Sequence, residues 1–138
     1  MTSKSYLTPI ALLGTLALFA TPAIADGAVA NDLVGTSWRL VELNGSPTDD
    51  AISSTLVISA DNVGGNGGCN SFGGDLKLTP TSIDIHQIVS TMMACDGLSQ
   101  EQAYFAALEA ADGYSIVDGD LVLSGPGASS LARLSPAE

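Results

Sequence analysis

The sequence of 138 residues predicts a mainly β fold: a compact, curved antiparallel sheet or small barrel of about seven or eight short strands, with one helix packed on it. Three observations carry this. Short apolar runs alternate with polar residues at a period of two and are separated by turn residues. Six glycines fall within residues 64–74, a density no helix tolerates. Helical spacing of apolar residues is convincing in one place only, between residues 99 and 111. Strands this short and meandering commonly close on themselves, because closure removes exposed edges.

The elements follow in chain order. In Trp38-Arg-Leu-Val-Glu-Leu43, Trp38 and Leu40 can face inward while Arg39 and Glu42 stay near water. Asn44-Gly45, Pro47 and Asp49-Asp50 then make a polar loop, and the β-branched run Thr55–Ser59 is a second strand. The glycine stretch reads as a tight turn plus a kinked or bulged strand, running into Asp75–Leu78. Ile83 and Ile85 alternate with Asp84 and His86 in the next strand, which places His86 toward solvent. Ser99 with Gln102 has the spacing of a capping box. After it, Ala103, Tyr104, Ala107, Leu108 and Ala111 form one helical face, with Glu101 and Glu109 outward and a glycine stop near Asp112-Gly113. Tyr114–Val117, Leu121–Leu123 and Leu131–Leu134 are the closing strands, joined at Asp118-Gly119 and Gly125-Pro126-Gly127. Trp38, Phe72 and Tyr104 are expected in the core, since residues 26–138 contain only five aromatics.

The first 25 residues read as a secretory signal peptide. Lys4 precedes the apolar run Ile10–Ala20, Pro22 breaks it, and Ala23-Ile24-Ala25 supplies a small-x-small cleavage pattern. The run is shorter than the roughly 20 residues of a spanning helix, and no cysteine follows for lipid attachment. A short lead-in over 26–32 and one domain over 33–135 are expected, periplasmic or secreted, without a membrane anchor, and monomeric. Loss of Lys4 leaves three basic residues against fifteen acidic ones, a net charge of −12. Such a surface repels phosphate backbones and anionic membranes, which excludes nucleic-acid binding.

Two cysteines remain, Cys69 and Cys95. In an oxidising compartment an even pair in a small domain is most simply a disulfide. One with this spacing would stabilise the fold by roughly 3–4 kcal/mol. The rival readings are a metal pair or a reactive thiol, although two thiols and the single His86 are too few for a closed zinc site.

No strong catalytic constellation is visible. His86 is the sole acid–base candidate near neutral pH. A hydrolase or thiol enzyme would pair it with Ser71 or a cysteine, but no Gly-x-Ser-x-Gly elbow holds a serine. Gly65–Gly68 lacks the Gly-Lys-Ser/Thr ending of a phosphate loop. Asp61 with Asn62, and Asp118 with Asp120, do not have EF-hand spacing; Asp118-Gly119-Asp120 is hairpin turn chemistry. No cofactor or metal is expected.

Four stretches in order resemble a known family. They are Leu33–Gly45, opening Leu-Val-Gly-Thr-Ser-Trp38; Gly68-Cys69-Asn70-Ser71-Phe72-Gly73-Gly74; Thr91-Met92-Met93-Ala94-Cys95; and Leu121–Leu123 with Leu131. Together they are similar to the META domain, the HslJ-like domain of bacterial exported and envelope proteins, over about residues 33–134. The resemblance implies a curved antiparallel sheet or barrel with one helix, and an association with heat or envelope stress, novobiocin resistance, secretion or motility. It implies no catalytic residues. Cys69, Asn70, Phe72, Thr91, Met92 and Cys95 carry over as a structural cluster, with Trp38, Gly68 and Gly73 beside them. The function expected is therefore non-enzymatic: binding of an unidentified protein or envelope component. The alternatives are a carrier of an apolar small molecule or, behind it, the enzyme using His86.

Cleavage after Ala25 is directly checkable. Intact mass and N-terminal sequencing of the exported protein should give Asp26 as the first residue, and a retained leader would contradict it.

Overall fold

A computed structural model describes residues 32–137 and the isolated Gly14. Apart from Gly14, the expected signal peptide over residues 1–25 and most of the expected lead-in lie outside the described residues. The chain runs β1 (Ser37–Leu43), β2 (Ser46–Pro47), β3 (Thr55–Ile58), β4 (Asn62–Asn66), β5 (Ser71–Leu78), β6 (Ile83–Ser90), α1 (Leu98–Ala110), β7 (Gly113–Val117), β8 (Asp120–Ser124) and β9 (Ser130–Pro136). A single 3-10 turn, Pro126–Ala128, links the last two strands.

All pairings are antiparallel, in the order β6-β5-β4-β3-β1-β9-β8-β7, with β2 paired to β1 off this path. The eight-strand path curls into a half-barrel. Its two ends meet at one point, where Ser82 bridges Gly113 and the Ile83 N–H donates to the Asp112 carbonyl at 3.1 Å. The period-two pattern decides which face is inside. Trp38 and Leu40, Leu56 and Ile58, Ile83 and Ile85, Leu121 and Leu123, and Ala132 and Leu134 are all buried on the concave side. α1 connects β6 to β7 and lays Tyr104 and Leu108 into that concavity. The Tyr104 hydroxyl donates to the Thr55 carbonyl at 3.0 Å, and burial holds its phenol well above the ordinary value.

The glycine stretch is the end of β4, a hairpin over residues 67–70, and the start of β5. Gly65 has φ +145° and lies so close to the Thr55 carbonyl that a Cβ would collide with it. A register shift opposite Gly73–Asp75 places a bulge in β6, where three residue steps span two of β5 and Gln87 has φ 54°.

Both expected ends of the helix are corrected. Ser99 is not an N-cap and makes no capping box: it lies inside α1, whose N-cap is Gly97 with no side-chain cap. The earlier start follows from a tertiary contact. A Cβ at Gly97 would sit 2.6 Å from the Gly68 carbonyl oxygen, so only glycine lets the helix begin against the hairpin. Nor does Gly113 cap the C-terminus. The helix stops at Ala110, Ala111 is already extended, and the Asp112 N–H donates to Ser124 at 2.9 Å. Sheet pairing ends the helix, and Gly113 opens β7.

On β8 and β9, Arg133 Nε donates to Asp120 Oδ2 at 2.8 Å, and this hydrogen bond holds the Asp120 carboxyl below its ordinary value. A depressed carboxyl stabilises the fold above its unfolded pKa and loses that contribution as pH falls through the folded one. Asp120→Asn should lower the thermal midpoint by a few degrees at about pH 7, by an amount that shrinks as pH falls through the acid range, read by circular dichroism.

Candidate functional site

The hairpin between β4 and β5 is tied to the helix by one carboxylate. Glu101 was expected to face outward, but the structure buries it to 2% exposure. Its Oε1 accepts the main-chain N–H of Cys69 at 3.1 Å and that of Asn70 at 2.5 Å, and its Oε2 accepts the Asn70 side-chain amide at 2.7 Å. Glu101 lies three and seven residues before Tyr104 and Leu108, on the same helical face.

Asn70, also 2% exposed, passes this tie to a third segment. Its Oδ1 accepts from Thr91 Oγ1 at 3.0 Å and from the Met93 N–H at 2.6 Å, while its Nδ2 also donates to the Met93 carbonyl at 3.1 Å. Every hydrogen-bonding position of the amide is filled. Asn70 thus joins the hairpin, the Thr91–Ala94 loop and α1. The sulfurs of Cys69 and Cys95 stand at disulfide distance, with Cα atoms 5.9 Å apart, and so link the same hairpin and loop. Gly67 completes the fit: a Cβ there would meet Glu101 Cγ at 2.6 Å and Phe105 Cζ at 2.7 Å.

This rigid junction floors a surface cleft of about 330 Å³, edged by Ser90, Met92, Met93, Leu98, Gln102 and Phe105. A second hollow of about 320 Å³ shares Ser90 and Thr91 with it and reaches Phe72, Gly73 and Val89. The rim is apolar and open: Met92 is 95% exposed, Val89 71% and Met93 62%. Met92 therefore does not belong with the buried members of the structural cluster. Its neighbours are held by the Thr91 hydroxyl and the Met93 main chain, which leaves its side chain free of the core. Phe72 is buried, with its ring centroid 5.0 Å from Phe105 and 6.0 Å from Tyr104. Trp38 is buried in β1, where its Nε1 donates to Thr36 at 2.8 Å.

The remaining candidates are not assembled with one another. His86 is half-exposed between Asp84 and Asp75, with nitrogen–oxygen distances of 3.6 and 3.9 Å. Its Nδ1 is buried without a hydrogen-bond partner. His86 pairs in register with Asp75, four residues along β5 from Ser71, so the serine and the imidazole are roughly 13 Å apart. Asp118 and Gly119 have φ of 52° and 84°, as a tight hairpin turn requires. Among the described residues, no three His, Cys, Asp or Glu side chains gather to hold a metal ion.

The Glu101 tie makes a graded prediction. Glu101→Gln turns one acceptor into a donor facing donors and should cost about 1–3 kcal/mol in urea unfolding. Glu101→Ala, which leaves three donors unpaired in a buried site, should cost more.

Comparisons with other proteins agree with this architecture. A protein from Burkholderia xenovorans, solved by NMR, superposes with a TM-score of 0.62 at 22% identity, covering 86% of this chain and 93% of its own. A duf4847 family protein from Bacteroides vulgatus superposes at 0.60 and 15% identity, covering 78% and 96%. At these identities the likeness is one of fold. No curated protein matches the chain in sequence. The META domain profile matches residues 31–138. With the glycine–cysteine–asparagine hairpin and the threonine–methionine loop locked together, and the profile spanning the whole described fold, the chain belongs to the META domain family.

Proposed function

We propose that this chain is an exported, non-catalytic binding protein, active in envelope or heat stress, that engages a protein or envelope component at the Val89–Met92–Met93 cleft. The observation that carries this reading is the contrast between a rigid support and an unspent apolar rim. A loop pinned by Asn70, Glu101 and a cysteine link cannot fold its methionines back onto the nearest apolar surface, and it holds them in solvent. Exposed apolar side chains rimming a hollow are the usual mark of a binding surface.

The cysteine pair at disulfide distance and the small-x-small pattern ending at Ala25 support export. The binding reading is favoured over a carrier because the concavity is occupied by Tyr104, Leu56, Ile58, Leu108 and Leu121, each buried to 0% exposure. It is favoured over a thiol enzyme because the two sulfurs pair with each other, and over a serine enzyme because Ser71 and His86 are far apart.

Site-specific photo-crosslinking tests the proposal in living cells. A photoreactive residue at position 92 should trap a discrete adduct in normal or heat-stressed cells, and one at position 77 should not. No adduct at 92, or the same adduct from both positions, would refute it.

A further inference from the structure

The cleft's own chemistry limits what can enter it. Residues 26–138 carry three cations, and none lines the cleft. Arg39 donates to the Asp50 carbonyl and Arg133 pairs with Asp120. Lys77 pairs in register with Asp84, at the far end of the β5–β6 hairpin from Val89. The charges near the cleft are acidic. Asp96 is exposed in the loop that forms its lip, and Glu109 is exposed four residues along α1 from Phe105, on the same helical face. A net charge of −12 surrounds the apolar rim with negative potential.

The hollows also set the shape of the visitor. Two contiguous volumes of about 330 and 320 Å³ suit two neighbouring apolar side chains, with Phe105 and Leu98 under the first and Phe72 under the second. Extending the sheet by adding a strand along β6 is disfavoured, since Gln87 has φ 54° and breaks the regular edge. Anchors presented one helical turn apart fit without strand pairing. Met92 and Met93 are unbranched and polarizable, and such side chains adapt to differently shaped anchors.

Resting on the binding reading above, we propose that this cleft docks a cationic amphipathic helical segment of another protein. One apolar residue of that segment enters between the Thr91–Ala94 loop and α1, a second enters the neighbouring hollow over Phe72 beside Val89, and its lysines or arginines face the surrounding carboxylates. Charge complementarity would speed encounter, while apolar burial would supply the specificity for this face over the rest of the acidic surface.

The probe is a fluorescein-labelled Lys/Leu amphipathic helical peptide of about five turns, titrated by fluorescence anisotropy against the mature protein. A Glu/Leu peptide of the same pattern is the charge control. The variant Val89→Ser/Met92→Ser/Met93→Ser keeps every charge and touches no core residue, and an unchanged thermal midpoint verifies its fold. The Lys/Leu peptide should bind, with affinity falling as salt rises. The triple variant should weaken it about tenfold or more, and the Glu/Leu peptide should not bind. Equal binding by the triple variant would mean attraction to the acidic surface alone and would overturn the proposal. So would binding of the Glu/Leu peptide, or failure of the Lys/Leu peptide. If the peptide fails while position 92 still yields a crosslinked adduct, the partner class falls and the binding reading stands; if both fail, both fall.

Discussion

The Glu101 carboxylate is the constraint on which the surrounding structure depends. A carboxylate removed from water is costly unless its oxygens are satisfied. Here they receive two main-chain N–H groups and one side-chain amide from a single turn of chain. The cost of losing any of these partners holds the hairpin in one position against α1. Because Asn70 is both a partner of Glu101 and the anchor of Thr91 and Met93, fixing the hairpin also fixes the loop leading into the helix. Three segments distant in sequence thereby acquire one geometry.

The glycines and cysteines of the same region serve that junction. Gly67, Gly68 and Gly97 stand where the hairpin and the start of α1 approach too closely for side chains. Their flexibility would be a liability in a free loop, but the hydrogen bonds and the cysteine link remove it. The result is a loop whose main chain is held by buried partners while its side chains stay outside. Exposed methionines on a floppy loop would tend to collapse onto the nearest apolar surface. On a clamped loop they remain available to something else.

Alternation made most of the sheet readable beforehand. Trp38 with Leu40 and Ile83 with Ile85 alternate with charged neighbours, Leu121 and Leu123 flank the less buried Val122, and each pair faces the concavity. β4 was obscure because Asn62-Val-Gly-Gly-Asn66 offers only one apolar side chain to alternate. The helix was legible through Tyr104, Ala107 and Leu108, but its ends were not. Ser99 has the local chemistry of a cap, yet the close approach of Gly97 to Gly68 starts the helix earlier. A carboxylate normally seeks solvent, which points Glu101 outward, whereas its place three residues before Tyr104 puts it on the inward face. Charge preference and periodicity disagreed there, and three waiting donors decided for periodicity.

The sequence by itself determined the acidity, the strand-rich class, the even pair of cysteines and the family. These depend on composition, local periodicity and motif order, all of which can be read within short windows of chain. Only the tertiary structure decided which groups meet. It buried Glu101, made Asn70 the junction of three segments, separated Ser71 from His86 and left Met92 in solvent. Each of those outcomes depends on long-range register, and on whether a buried polar group finds partners from elsewhere in the chain, which no local pattern encodes.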